Sequence, residues 1–103
     1  MLGIGKWKLY VETRFYSGDA FMLIGEKDGE YDISVELSNG KKPPFRFSSI
    51  QAEGNTIKGT ARHSLLQGHS IPFSATFEGD TVSGFLDVPV VGLIKFNDGV
   101  KVG

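Results

Sequence analysis

His63 and His69 are the side chains of this chain best suited to chemistry. Imidazole changes charge near neutrality, so a histidine held among apolar groups is a natural acid–base catalyst. Two histidines six residues apart, with a carboxylate such as Asp87, also have the donor types of a zinc site. Their spacing matches no known ligand pattern, and the chain has no cysteine. No metal and no other cofactor is therefore expected. Ser64 and Ser70 flank the histidines, but no Gly-x-Ser-x-Gly elbow accompanies them, which argues against a hydrolase triad. A second polar set, Tyr10, Glu12, Arg14 and Tyr16, shares one face of an alternating stretch. It would be a catalytic stripe only if that face were internal. The opposite face carries Trp7, Leu9, Val11 and Phe15, so the stripe is expected to face solvent or a partner chain, with its two tyrosines as a modest case for a homo-oligomer.

The elements that position these residues follow from a repeat. Glu78-Gly79-Asp80-Thr81-Val82-Ser83-Gly84 restates Glu53-Gly54-Asn55-Thr56-Ile57-Lys58-Gly59 at a distance of 25 positions, and Asp28-Gly29-Glu30 is a fainter copy 25 positions earlier. Gly-Asp and Gly-Asn between alternating apolar runs are two-residue hairpin turns, because these residues accept positive φ. A period holding two strands and two turns puts Gly29, Gly54 and Gly79 at the same end of a meander.

Alternation then predicts eight strands: 6–16, 20–27, 31–38, 45–53, 56–64, 70–78, 81–88, and one from about 93 that Asn97-Asp98-Gly99 kinks or turns. Ser17-Gly18-Asp19 reads as the first turn. Strand two is apolar on both faces, so its facing stays open. Ile50 and Ala52 fall out of phase with Phe45 and Phe47, which predicts a β-bulge near Ser48-Ser49. Pro43 and Pro44 forbid ladder bonding in the longest loop. No helical period of useful length occurs. The fold expected is all-β: an eight-stranded up-and-down antiparallel barrel, closed so that no edge is exposed, in one domain spanning 1–103. Gly59 and Gly84 leave the inner face bare at matching repeat positions, for strand coiling and close approach rather than for ligand space.

Composition narrows the partners. The formal net charge is −1, which offers no electrostatic footprint for nucleic acid or an anionic membrane. The first residues hold no long apolar run, so neither a signal peptide nor a spanning helix is expected. That, with the lack of cysteine, fits a cytoplasmic protein.

Gly5-Lys6-Trp7 at the head of such a meander resembles the calycin superfamily of lipocalins, avidins and fatty-acid-binding proteins. There a Gly-x-Trp opens the first strand and the tryptophan plugs the closed end. The wider pattern, Gly-x-Trp-x-Leu-x-Val-x-Thr followed by Gly-Asp turns leading into Thr-Val/Ile-x-Gly, is similar to small bacterial lipocalin-like barrels. The resemblance implies that Trp7 is such a plug and that a small apolar molecule binds inside. The disulfide and the later lipocalin motifs are missing, as is the avidin biotin constellation.

Three functions are open at this point. The first is a barrel that binds a small hydrophobic molecule among Phe15, Phe21, Leu37, Phe45, Phe47, His63, Ile71, Phe73 and Val88. The second is a cofactor-free isomerase, cyclase or lyase that uses His63 as its acid–base group in the same barrel. The third is an accessory subunit whose aromatic side chains fill the interior.

Overall fold

Asp28 and Gly29 both have positive φ, +54° and +82°, and Lys27 pairs with Glu30 across them, which makes a two-residue I′ hairpin. Gly54 and Gly79, at +61° and +57°, are each followed by a residue of ordinary φ, the II′ pattern with glycine in its first central position. These turns join eight antiparallel strands in the computed structural model, which describes residues 1–14, 16–66 and 68–103. The strands are β1 (Gly5–Glu12), β2 (Ser17–Lys27), β3 (Glu30–Leu37), β4 (Phe45–Glu53), β5 (Thr56–His63), β6 (Ile71–Glu78), β7 (Thr81–Val88) and β8 (Gly92–Lys101). No helix long and apolar enough to cross a membrane occurs among the described residues.

The strands form one curled sheet in the order β3-β2-β1-β8-β7-β6-β5-β4, an up-and-down, nearly closed barrel. Chain ends meet where the sheet wraps: the Val102 N–H donates to the Lys6 carbonyl and the Lys6 N–H to the Gly103 carbonyl. Full closure, expected from the sequence, is not reached. Among the described residues no ladder joins β3 to β4. The cause is local to β4. Pro44 immediately precedes it, and its register jumps between Ser48 and Gln51, with Ser49 at φ +55°. The bulge thus lies where the phase shift of Ile50 placed it, and Ile50 packs inward against the core. Side chains cover the seam instead. The Tyr31 hydroxyl donates to the Leu2 carbonyl at 2.8 Å, and Leu2, Tyr31, Phe47 and Ile50 all pack on the core. Burial raises the Tyr31 pKa above its ordinary value.

Gly29, Gly54 and Gly79 share one end, as the repeat requires, and this end is plugged. Trp7 is 2% exposed, its Nε1–H donates to the Gly3 carbonyl at 2.8 Å, and its ring meets Phe77 at 4.9 Å and 58°. The main core above the plug holds Leu9, Met22, Ile24, Ile33, Ile57, Phe73, Ala75, Val82 and Phe96. A second buried cluster, Ala61, Ile71 and Val88, lies under Leu66 and Val91 of the opposite loops. The bare inner faces are occupied by neighbours. Ile50 fills the space beside Gly59, and the Ser74 carbonyl, Ala75 and the Phe96 ring fill that beside Gly84.

Turn chemistry here is testable at Gly79. Nothing surrounds its absent side chain, so the only penalty for a larger residue is the left-handed backbone. Gly79→Val should cost roughly 1–2 kcal/mol, or about 4–8 °C in Tm per kcal/mol for a domain of this size. Gly79→Asn should cost less, since asparagine tolerates positive φ. Equal melting temperatures for the two variants would show that the turn carries no such constraint.

Candidate functional site

The position of the first turn determines what lines the open end. Glu12 pairs with Ser17, Val11 with Gly18 and Tyr10 with Asp19, so Ser17-Gly18-Asp19 is strand, not turn. The chain reverses four residues earlier than alternation suggested. Thr13 supplies the reason: its N–H donates to the Tyr16 carbonyl at 2.8 Å, while its hydroxyl accepts from the Tyr16 N–H at 2.9 Å and donates to the Tyr16 carbonyl at 3.0 Å. A side chain that satisfies backbone groups in this way competes with continued strand.

Strand-one alternation therefore ends at Glu12, and Tyr16 does not join Tyr10 and Glu12 on the outer face. It turns inward at the mouth, where its hydroxyl donates to the Asp19 carbonyl at 2.6 Å and lies 2.8 Å from the Ser38 hydroxyl. Tyr10 alone of the two stays outside, 55% exposed. Sequence reasoning missed Tyr16 because a strict period of two was carried past a residue able to cap a turn.

Above the main core, at this mouth, lies a cavity of about 160 Å³. Its floor and walls are Leu9, Ala20, Met22, Phe73, Leu86, Ile94 and Phe96. Val11, Val35, Leu37, Pro43, Phe45 and Phe47 complete it. The polar side chains on its wall are Thr13 and Tyr16, and both hydroxyls are engaged at the turn just described. Phe47 stands edge-on to Phe73 at 5.2 Å and 75°, which makes a rigid aromatic corner.

Of the residues expected to line a cavity, Leu37, Phe45, Phe47 and Phe73 come together in this one. Ile71 and Val88 point inward but belong to the second cluster, sealed away from the space. Phe15 lies outside the described residues. Phe21 faces outward, contrary to expectation. Register pairs Trp7 with Met22, so the plug claims the Ala20-Met22-Ile24 face of β2 for the core and leaves Phe21 and Leu23 on the other. There Phe21 is half-buried under Lys6, whose Nζ sits 4.7 Å above the ring.

His63 is also displaced from its expected place. It lies at the end of β5 on the inner side, but the Phe45 ring, 5.0 Å away and T-shaped to it, stands next to the imidazole on the cavity wall. His63 instead lines a separate surface recess of about 470 Å³ with Pro44, Phe45, Arg46, Arg62, Ser64, Leu66 and Gly68. Its Nδ1 accepts the Leu65 N–H at 3.1 Å. His69 is exposed in the following loop and is not among the residues of that recess.

Phe45 thus lines two spaces: an apolar one within the barrel and a surface recess that has Arg46 and Arg62 among its residues. No family model, no curated protein and no solved structure matches this chain.

Proposed function

We propose that the protein is a calycin-like barrel that binds a small apolar molecule in the cavity at its open end. The carrying observation is the 160 Å³ space itself, walled almost wholly by hydrocarbon and aromatic side chains. A well-packed interior leaves few voids larger than a water. An apolar cavity of about 150 Å³ is known to stay dry and to admit benzene. The volume therefore fits one ring or a short chain, well under the drug-sized ligands of larger clefts. With so few ligand atoms, affinity belongs in the micromolar-to-millimolar range.

The acid–base alternative loses its motivating observation, since His63 stands behind Phe45 and the cavity's two hydroxyls are already paired. A completely filled accessory barrel does not account for the space.

Thermal denaturation in the presence of benzene tests the proposal. A ligand that binds only the folded state raises Tm by mass action. Benzene should stabilise the protein saturably. Ala20 is 2% exposed and forms part of the cavity wall. Ala20→Leu should occupy the space, so the variant should hold or gain stability unliganded and lose the response to benzene. A Tm unmoved by benzene up to its solubility limit, or a response intact in Ala20→Leu, would refute the cavity as the site.

A further inference from the structure

We propose that the recess beside the mouth is a receptor for an oxyanion, the carboxylate or phosphate head of an amphipathic ligand whose apolar part enters the interior cavity; the second half of this statement rests on the binding function proposed above.

The first observation is electrostatic. Arg46 of β4 and Arg62 of β5 are direct cross-strand partners. Both are exposed on the outer face of the sheet, since Phe45, Phe47 and Ala61 take the inner one. Like charges directly opposite each other destabilise a sheet. The chain has 12 acidic residues with which to neutralise such a pair. Yet among the described residues neither guanidinium has an ion-pair or hydrogen-bond partner, while Lys8 and Asp19 do form a pair at 3.6 Å.

The second observation is the sign of the remaining groups. Arg46, Arg62, His63 and Ser64 line one recess. A guanidinium offers only donors. The Nδ1 lone pair of His63 is already taken by the Leu65 N–H, so the neutral imidazole carries its proton on Nε2 and its other nitrogen is a donor too. Ser64 can donate as well. Two planar forks and an imidazole N–H without an acid among them form a donor set for an oxyanion, and bidentate Arg–oxyanion bonds are among the stronger hydrogen bonds available.

The third observation is the position of Phe45. Phe45 is a lining residue of both the recess and the cavity. A molecule with an anionic head in the recess can lay its apolar part across Phe45 and into the barrel. Lys41 and Lys42 add two cations in the loop that leads to Pro44.

The test follows the arginine Nε–Hε resonances by NMR while inorganic phosphate is added at constant ionic strength. Arg46 and Arg62 should shift together and saturably. Arg46→Gln or Arg62→Gln should weaken phosphate binding roughly ten- to a hundredfold, the worth of a hydrogen bond to a charged group. In anion-free, low-salt buffer each variant should melt no lower than the parent, because a repulsion has been removed. A second titration compares acetate with hexanoate. Hexanoate should bind more tightly, and Ala20→Leu should erase that advantage while it leaves phosphate binding unchanged. Shifts that never saturate, or that chloride reproduces at equal ionic strength, would show two solvated arginines and overturn the receptor. Saturable phosphate with hexanoate no better than acetate would overturn the amphipathic ligand. Benzene binding by the parent protein is independent of all these readouts, so failure of the recess and failure of the cavity are told apart.

Discussion

Trp7→Ala should cost roughly 3–5 kcal/mol of stability, the range for truncating a large core aromatic. For a domain of about this length that is a fall of at least about 12 °C in Tm, and a large share of the roughly 5–15 kcal/mol that holds such a domain together. The expectation rests on three features of the plug. Trp7 is 2% exposed, packs on Phe77, and satisfies the Gly3 carbonyl that would otherwise close over an empty space. The segment before β1 depends on it, because Gly3 is seated on the Phe77 ring and Leu2 on the core. Chemical denaturation followed by circular dichroism measures the loss. The protein has one tryptophan, so its fluorescence reports the same site: emission should be blue-shifted when folded and move to the red with unfolding. A loss below about 1 kcal/mol would mean that the ring does not plug the barrel.

Gly84→Ala should be nearly as disruptive in proportion to the atoms added. A single methyl at Gly84 would overlap the Ser74 carbonyl oxygen and come within 2.9 Å of the Ala75 Cα and 2.8 Å of the Phe96 ring. Backbone cannot swing aside as a side chain can, so β6 and β7 must separate. Overpacking of this kind costs typically about 1–3 kcal/mol, and Gly84→Val should exceed that range or prevent folding. Gly25→Ala is the control. Gly25 lies within β2, has no positive φ, and would meet nothing nearer than the Asp32 carbonyl at 3.7 Å. Its Tm should stay within the small range of ordinary surface changes, about 0.5 kcal/mol. Similar melting temperatures for Gly84→Ala and Gly25→Ala would contradict the close approach of β6 and β7.

Strand count, the three glycine turns of the plugged end, the bulge and the plug were legible in the sequence, and for a physical reason. Each depends on a local pattern: a Gly-Asp turn, a period of two, a phase slip at Ile50, a tryptophan beside a glycine. What was not legible depends on the partner a residue meets. Phe21 and Met22 are both apolar, and only the pairing of Met22 with Trp7 decides which of them is inside. Tyr16 continued a clean alternation on paper. It was the hydrogen bonding of Thr13 that ended the strand early and turned Tyr16 to the mouth. The repeat matches His63 with Val88, but a matching position is not a place in the cavity: Phe45 stands on the cavity wall, and His63 lies beside it in the surface recess. Arg46 and Arg62 carry no motif at all. Their meaning emerges only when the register of β4 on β5 sets them opposite each other.

The most direct test of the interior site is an isotope-filtered nuclear Overhauser experiment on the labelled protein with benzene bound. The cavity predicts contacts from the ligand to the Met22 and Ile94 side chains and to the Phe73 ring, which lie on its wall together although they come from β2, β8 and β6. Contacts confined to exposed apolar residues such as Leu65, Val90 and Leu93, 84%, 86% and 50% accessible, would place the ligand on the surface and contradict binding within the barrel.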